Sequence, residues 1–397
     1  MDSESTIPTG SLQAWQVSHV RKMIRRYRES IYENLNKEKV RMTKDGRPVF
    51  TVLSPPLGSI VARRRIRFAK EDLTSPETII ENDEVVKWGK RSPHVFSVAV
   101  TYKCQCNCQH CSADTYREKV RREGGLLTFE ELRDAINQGV DLGATIVILT
   151  GGEPLLRPEI FDLVEAIDKN KCTPIMFTNG EFLTDDVVKK LADRGLYGVF
   201  VSIDSAIAGE HDAFRGREGL FEKAVEGIKK TIAAGILTGI ATVATKERVH
   251  NGDLDGIMEL GKELGIMEVV IFDITPAGKL INVVDKLLGK EEIEKIEAFT
   301  HRYNELKEYP SVFHESLFSY FAVPCVKGCP GGAVMLHLRA NGDVTPCDGI
   351  PIPFGNIRNE PLEQIWNRIT HDEEYAKPHN GCRMADLDFR RKYLNLS

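Results

Sequence analysis

Between residues 93 and 280 the chain alternates short apolar, β-branched runs with longer stretches whose apolar residues recur every three or four positions. The runs "VFSVAVTY", "TIVILT", "TPIMFT", "YGVFVSID", "TGIATVAT" and "MEVVIFDI" predict six strands buried on both faces of a parallel sheet. The stretches between them predict helices. "LTFEELRDAINQGVDLG" opens with Thr128 and Glu131 at capping-box spacing, sets Leu132, Ile136 and Val140 on one face, and stops at Gly143. "LTDDVVKKLADRG" repeats the pattern from Thr184 to Gly195. Repeated strand–helix units imply right-handed crossovers and an α/β fold, either an open sheet or a partial (β/α)6 TIM-like barrel. In both, reactive groups belong at the C-terminal ends of the strands.

The pattern changes on either side, giving four expected stretches: an extension over 1–92, the barrel over 93–280, a helical connector over 281–324 and a cysteine-rich unit over 325–397. "GKEEIEKIEAFTHRYNELKEY" reads as a charged amphipathic helix. In the extension, Leu12, Trp15, Val20, Met23, Tyr27, Ile31 and Leu35 form a helical stripe flanked by Arg21, Lys22, Arg25, Arg26 and Arg28. A hairpin is expected around "KDGRP", then a basic, strand-like run with Arg63, Arg64, Arg65 and Arg67 after "SPPLGS". Two readings of the basic helix stay open. The stronger packs its stripe on the barrel; the other lays it on an anionic membrane surface.

Composition narrows the chemistry. A chain of 397 residues, 42% hydrophobic, buries a large core without disulfide staples, and nine cysteines cannot all pair. No signal-peptide pattern opens the chain, and no apolar run approaches the roughly 18 residues that span a bilayer. A reducing cytoplasm is the expected setting, with membrane association as the alternative that the basic helix raises. Net charge is −5, yet residues 1–70 hold 15 Lys plus Arg against 6 Asp plus Glu, so +9 there leaves −14 for the rest.

The candidate chemistry lies in "CQCNCQHC", residues 104–111. The first predicted strand ends near Tyr102, which places these thiols on the first strand-to-helix loop. The second strand runs into Gly151, Gly152, Glu153 and Pro154, the equivalent loop one unit later. Cys104, Cys108 and Cys111 are spaced C-x3-C-x2-C, short enough for one loop to wrap a compact inorganic cube. A [4Fe–4S] cluster normally takes four thiolates, so three leave one iron open. A zinc knuckle built on Cys108 and Cys111 is the competing reading, and it leaves the glycine loop unexplained. Cys106 falls outside the spacing and reads as a bystander; Cys172 reads as a small buried residue.

This combination of C-x3-C-x2-C on the first loop and "GGEP" on the second resembles the radical S-adenosylmethionine (radical SAM) superfamily. The resemblance implies that S-adenosylmethionine chelates the open iron and is cleaved by an electron to methionine and a 5′-deoxyadenosyl radical, which takes hydrogen from a substrate. It implies that Gly151, Gly152, Glu153 and Pro154 approach the methionyl group. Ser202 and Asp204 in "VSIDS" would serve the ribose side, and Arg215 in "HDAFRG" would pair with the cofactor carboxylate. "TGIATV" would offer backbone to the adenine, and "TPAG" would close the sixth strand. A low-potential electron donor such as flavodoxin or ferredoxin is also implied.

Downstream, Cys325, Cys329, Cys347 and Cys382 make a complete four-thiol set that zinc or a cluster would accept. "CPGGAVMLHLRANGDVTPC", with Gly342 five residues before Cys347, then "FGNI" and "LEQIW", resembles the SPASM and twitch extensions of radical SAM enzymes. One auxiliary [4Fe–4S] cluster is therefore expected. No winged-helix leader-binding pattern is legible in 1–92, which weighs toward a small-molecule or lipid substrate, with a peptide or protein substrate (maturase-type) as the alternative. The rivals of another class are a non-catalytic iron–sulfur electron carrier and a zinc-stabilised binding protein.

Overall fold

The computed structural model describes residues 39–43, 46–49, 51–73, 75–81, 84–114, 116, 125–314 and 328–395. The stripe from Leu12 to Leu35 and Cys325 lie outside the described residues. The expected hairpin is present as antiparallel β1 (Arg41–Met42) and β2 (Pro48–Val49). The basic run that the sequence presents as strand-like is instead a helix, Ile60–Leu73. Its buried face is Val61, Arg65, Ala69 and Leu73, a helical spacing disguised by the arginine. Arg65 tolerates burial because its Nε donates to Thr145 Oγ1 at 3.1 Å. A second hairpin, β3 (Ile79–Glu81) with β4 (Glu84–Lys87), leads into the main sheet.

All six apolar runs form strands: β5 (Val95–Thr101), β6 (Ile146–Gly151), β7 (Thr173–Thr178), β8 (Gly198–Ser202), β9 (Leu237–Ala244) and β10 (Glu268–Asp273). Each pairs in parallel with the next. The sheet also extends beyond them. β11 (Ser311–His314) follows the charged helix Lys290–Glu305 and adds in parallel to β10. β12 (Met335–Leu338) adds in parallel to β5, and β13 (Asp343–Thr345) and β14 (Gly355–Asn356) continue antiparallel.

Alternate side chains of the strands divide between two cores. Phe96, Val98, Val147, Leu149, Met176, Val199, Val201 and Val269 pack outward under the helices. Val95, Ile146, Ile148, Ile175, Phe200, Ala241 and Val270 meet in one inner cluster, as the curvature of a partial barrel requires. Val49, Val52 and Leu53 join that inner cluster, so the segment after the first hairpin plugs the barrel at the N-terminal ends of its strands. A Cβ on Gly198 would sit 2.3 Å from Val52, which measures how closely the plug fits. The helix Ile60–Leu73 is at this same end, since Asp72 accepts from Ser92 N (3.0 Å) and lies 3.0 Å from His94 Nε2, just before β5. Its arginines are therefore remote from the barrel mouth.

Glu268, the first residue of β10, is fully buried beneath the plug, where one oxygen accepts the Val52 N–H at 2.8 Å. Burial pushes its carboxyl up to about 8. A raised folded value means that the neutral acid contributes stability present below about pH 4.5 and lost as pH rises through about 8. Glu268→Gln should remove that loss. Each pH unit between the unfolded and folded values is worth ~1.4 kcal/mol. Thermal unfolding compared across roughly pH 5 to pH 9 should therefore show the wild type weakening relative to the variant by a few kcal/mol; parallel curves would refute the assignment.

Candidate active site

The cysteine loop leaves β5 at Thr101 and is tied to its neighbours by backbone hydrogen bonds. Gly152 N–H donates to Thr101 O at 2.7 Å and Glu153 N–H to Lys103 O at 2.8 Å, from the loop after β6. From the loop after β8, Asn107 N–H reaches Arg215 O at 2.9 Å and Gln109 N–H reaches Phe214 O at 3.1 Å. After β10, Lys279 N–H donates to Cys111 O at 3.1 Å and its ammonium to Cys108 O at 3.0 Å. The loop after β7 contributes through side chains, with Gln105 donating to Asn179 Oδ1 (3.1 Å) and Glu181 Oε2 (2.7 Å). The approaches are too close for side chains. A Cβ on Gly152 would meet Lys103 O at 2.3 Å, and one on Gly278, at φ +54°, would meet Cys111 O at 2.2 Å.

Cys104 and Cys111 are half-buried and Cys108 is buried. Cys106, outside the ligand spacing, is 3% exposed and shares a cluster with Cys104, Cys108, Cys111 and Leu220; hydrogen bonding with Cys104 and Cys108, then burial, push its thiol up. Its hydrogen bond draws the Cys108 thiol down to about 6, against burial and with help from Arg215. Arg215 Nη1 stands 3.8 Å from Cys108 Sγ, and its Nε donates to Asp204 Oδ2 at 2.5 Å.

Asp204 is buried at the end of β8 and gathers the charges around the loop. Its other oxygen accepts Val243 N–H at 3.1 Å and lies 3.7 Å from Arg248 Nη1. Burial alone would raise this carboxyl; Arg215, His110, Arg248 and His211 together hold it at about 2. Ser202 closes β8 half-buried. Glu153 is fully buried, accepting from Thr178 Oγ1 at 2.7 Å and Asn179 N at 2.8 Å, and burial pushes it up to about 7 despite these bonds. Pro154 is buried at the start of a short 3-10 turn.

A second thiol group forms from Cys329, Cys347 and Cys382. Burial, then the neighbouring Asp348, Cys329 and Cys382, push the Cys347 thiol well above its ordinary value. Such buried, mutually repelling thiols fit a cationic guest, and glycines leave it room: a Cβ on Gly331 would lie 3.5 Å from Cys347 Sγ and one on Gly349 3.8 Å. Among the described residues no three ligands converge on a single ion; a cube, which takes one thiolate per iron, does not ask them to. A cavity of about 300 Å³ runs from His110 and Ser112, at the end of the cysteine loop, to the thiols of Cys329, Cys347 and Cys382. Its walls include Ile148, Phe177, Val243, Phe272 and Met335. A larger hollow of about 660 Å³ opens at the plugged end of the barrel, away from both thiol groups and with only the lone Cys172.

Sequence reasoning missed several of these contributors. Lys279 directly follows the "TPAG" turn and Glu181 closely follows the third strand, so position at a strand's C-terminal end was the available signal. Arg248 and Arg383 carry no such mark.

Comparison with known proteins agrees with this architecture. Residues 98–250 match the radical SAM superfamily model, and residues 329–390 match SPASM, an iron–sulfur cluster-binding domain. The AdoMet-dependent heme synthase of Methanosarcina barkeri is 29% identical, covering 76% of this chain and 95% of its own length. The Fe-coproporphyrin III synthase of the same organism is 24% identical, covering 85% and 89%. The mycofactocin maturase of Mycobacterium ulcerans is 26% identical, covering 75% and 81%. The crystal structure of Streptococcus suis SuiB bound to S-adenosylmethionine shares the fold, with a TM-score of 0.58 at 17% identity over 79% of this chain and 70% of that one.

Because the Gly152 contact is to backbone, Gly152→Ala should cost about 1–3 kcal/mol in urea unfolding and reduce iron bound after reconstitution. Gly209→Ala, where a Cβ meets nothing within 4 Å, is the control and should be near neutral in both measurements. Equal behaviour of the two variants would refute the wedge.

Proposed function

We propose, for an enzyme that belongs to the radical SAM superfamily and carries a SPASM iron–sulfur domain near its C-terminal end, that it takes hydrogen from a small, largely apolar biosynthetic substrate held between its two thiol groups. The observation that carries this reading is the cavity, which opens to the cysteine loop at one end and to Cys329, Cys347 and Cys382 at the other. Cys104, Cys108 and Cys111 are the ligands of the [4Fe–4S] cluster that S-adenosylmethionine completes. When bound, this pair supplies an electron and a cleavable sulfonium, hence the 5′-deoxyadenosyl radical that takes hydrogen from substrate.

The chain's own residues prepare that site. Gly151 and Gly152 fix the loop and keep their backbone open to the methionyl amino group, with Glu153 and Pro154 bracing the turn. Arg215, its Nε anchored by Asp204, presents its outer edge beside Cys108, in reach of a carboxylate there. Asp204 acts as a positioning residue, and Ser202 is assigned to the ribose by family likeness. Cys329, Cys347 and Cys382, with Cys325, hold one auxiliary [4Fe–4S] cluster. The apolar walls exclude water from the reacting centre. A low-potential donor such as flavodoxin or ferredoxin supplies the electron.

Substrate class rests on two supports. The walls are apolar, and the heme synthase relative is matched over 95% of its length. That relative alone makes an iron porphyrin the first substrate to test, ahead of a lipid. The peptide reading draws on the maturase relatives, including a PqqA peptide cyclase of Rhizobium meliloti that is 26% identical.

The test is anaerobic 5′-deoxyadenosine formation by the reconstituted, dithionite-reduced protein. Cys104→Ala, Cys108→Ala and Cys111→Ala should each abolish it, whereas Cys106→Ala, which removes a thiol beside the ligands, should stay within about ten-fold of wild type. Stimulation by an iron porphyrin or the apolar small-molecule fraction of a cell extract is expected. Stimulation by the peptide fraction alone would move the enzyme to the maturase class.

A further inference from the structure

Each thiol group has a buried arginine beside it. Arg215 stands at Cys108, and Arg383, which directly follows Cys382, stands at the second group. The Arg383 side chain is almost wholly buried, its Nε donating to Glu374 Oε1 at 3.0 Å and its Nη2 to the carbonyls of Glu374 (2.9 Å) and Lys377 (3.0 Å). The guanidinium lies 4.7 Å over the Tyr375 ring, and that ring rests on Gly332, where a Cβ would meet it at 2.6 Å. Three fixed contacts thus set its orientation. The remaining nitrogen, Nη1, is buried and finds no hydrogen-bond acceptor in this geometry. Arg383 directly follows Cys382, and the backbone N–H of Cys329 is pinned to His379 O at 2.9 Å by the same loop. Burial opposes the charge, yet Cys329, Tyr375 and Glu374 hold this guanidinium above its ordinary value.

We propose that Arg383 sets the reduction potential of the iron–sulfur group held by Cys329, Cys347 and Cys382, raising it through a buried positive charge fixed beside those thiols. The inference rests on the assignment of those cysteines to an auxiliary cluster. Reduction adds one electron and one negative charge to the cluster. A buried cation close to the thiolates stabilises that added charge, and local charge is a lever on such potentials. Arg383 is a positioning and tuning residue; it does not touch substrate.

Glu374 gives the test its sign. Its carboxylate offsets part of the Arg383 charge, so removing the cation and removing the carboxylate should move the potential in opposite directions. Anaerobic redox titration of the reconstituted full-length protein with dithionite, read by EPR, measures both. Arg383→Met should lower the auxiliary midpoint by at least a ten-fold change in the reduction equilibrium, about 59 mV for a one-electron couple. Glu374→Gln should raise it, Arg383→Lys should fall between wild type and Arg383→Met, and the cluster at Cys104, Cys108 and Cys111 should not move. Mere loosening of the loop would admit water, which stabilises the reduced cluster and raises the potential in every variant, and that result overturns the proposal. An unchanged midpoint in Arg383→Lys and Glu374→Gln, with iron and sulfide retained, also overturns it while leaving the cluster assignment intact. If a Cys329→Ala, Cys347→Ala double variant binds as much iron and sulfide as wild type, both readings fall together.

Discussion

The structure depends on a loop that cannot hold itself. Four thiols within eight residues repel one another as they deprotonate, and the segment from Tyr102 to Cys111 has no helix or strand of its own to fix it. Its shape comes from outside, through the backbone N–H groups of Gly152, Glu153 and Lys279 and the carbonyls of Phe214 and Arg215. These partners come from three strand units, following β6, β8 and β10, so the curvature of the sheet becomes the geometry of the loop. The glycines follow from this arrangement. Gly152 and Gly278 are small because the loop's own carbonyls occupy the space a Cβ would need.

The same sheet fixes where the second thiol group sits. β12 pairs in register with β5, Met335 opposite Val95 and Leu338 opposite Val98, so the strand that carries the cysteine loop is also the neighbour of the strand leading from Cys329 to Cys347. Two further ties reinforce that pair: Leu127 N–H donates to Ala340 O at 2.8 Å, and Arg339 Nη2 donates to the Tyr116 hydroxyl at 2.9 Å. The cavity is therefore walled on one side by strand residues such as Ser97, Ile148, Phe177, Val243 and Met335, and on the other by the loops that carry Cys329, Cys347 and Cys382. At the other end of the barrel, the plug of Val49, Val52 and Leu53 fills the interior with apolar side chains, leaving the mouth as the end open to chemistry.

The six barrel strands were legible because burial on both faces writes itself as an uninterrupted apolar run. β11, "SVFH", was not, since a four-residue strand that includes a histidine falls below what periodicity can separate from a loop. The helix Ile60–Leu73 misled for the opposite reason: Arg65 occupies a core-facing position, so the apolar stripe looked broken until Thr145 supplied its partner. The cysteines and glycines of the site announced themselves by spacing. Their supports did not. Arg248, Lys279 and Arg383 act as single residues brought in from distant segments, and a lone charge in a sequence has the same appearance whether it faces water or a buried thiol.

The two arginines at the thiols differ in how their charge is balanced, and that difference has a direction. At the cysteine loop, Arg215 and Arg248 face Asp204 and Asp253, both carboxylates being buried, so charge cancels within a low-dielectric pocket. At the second group, the Arg383 counter-charge is Glu374, whose side chain is 23% exposed and so partly screened by solvent, while the guanidinium itself is not. A screened carboxylate offsets less of a buried cation's field than a buried one does. More of the Arg383 charge therefore survives its own carboxylate partner, while Asp348 beside Cys347 and Lys279 beside Cys108 act in the opposite sense at the two groups.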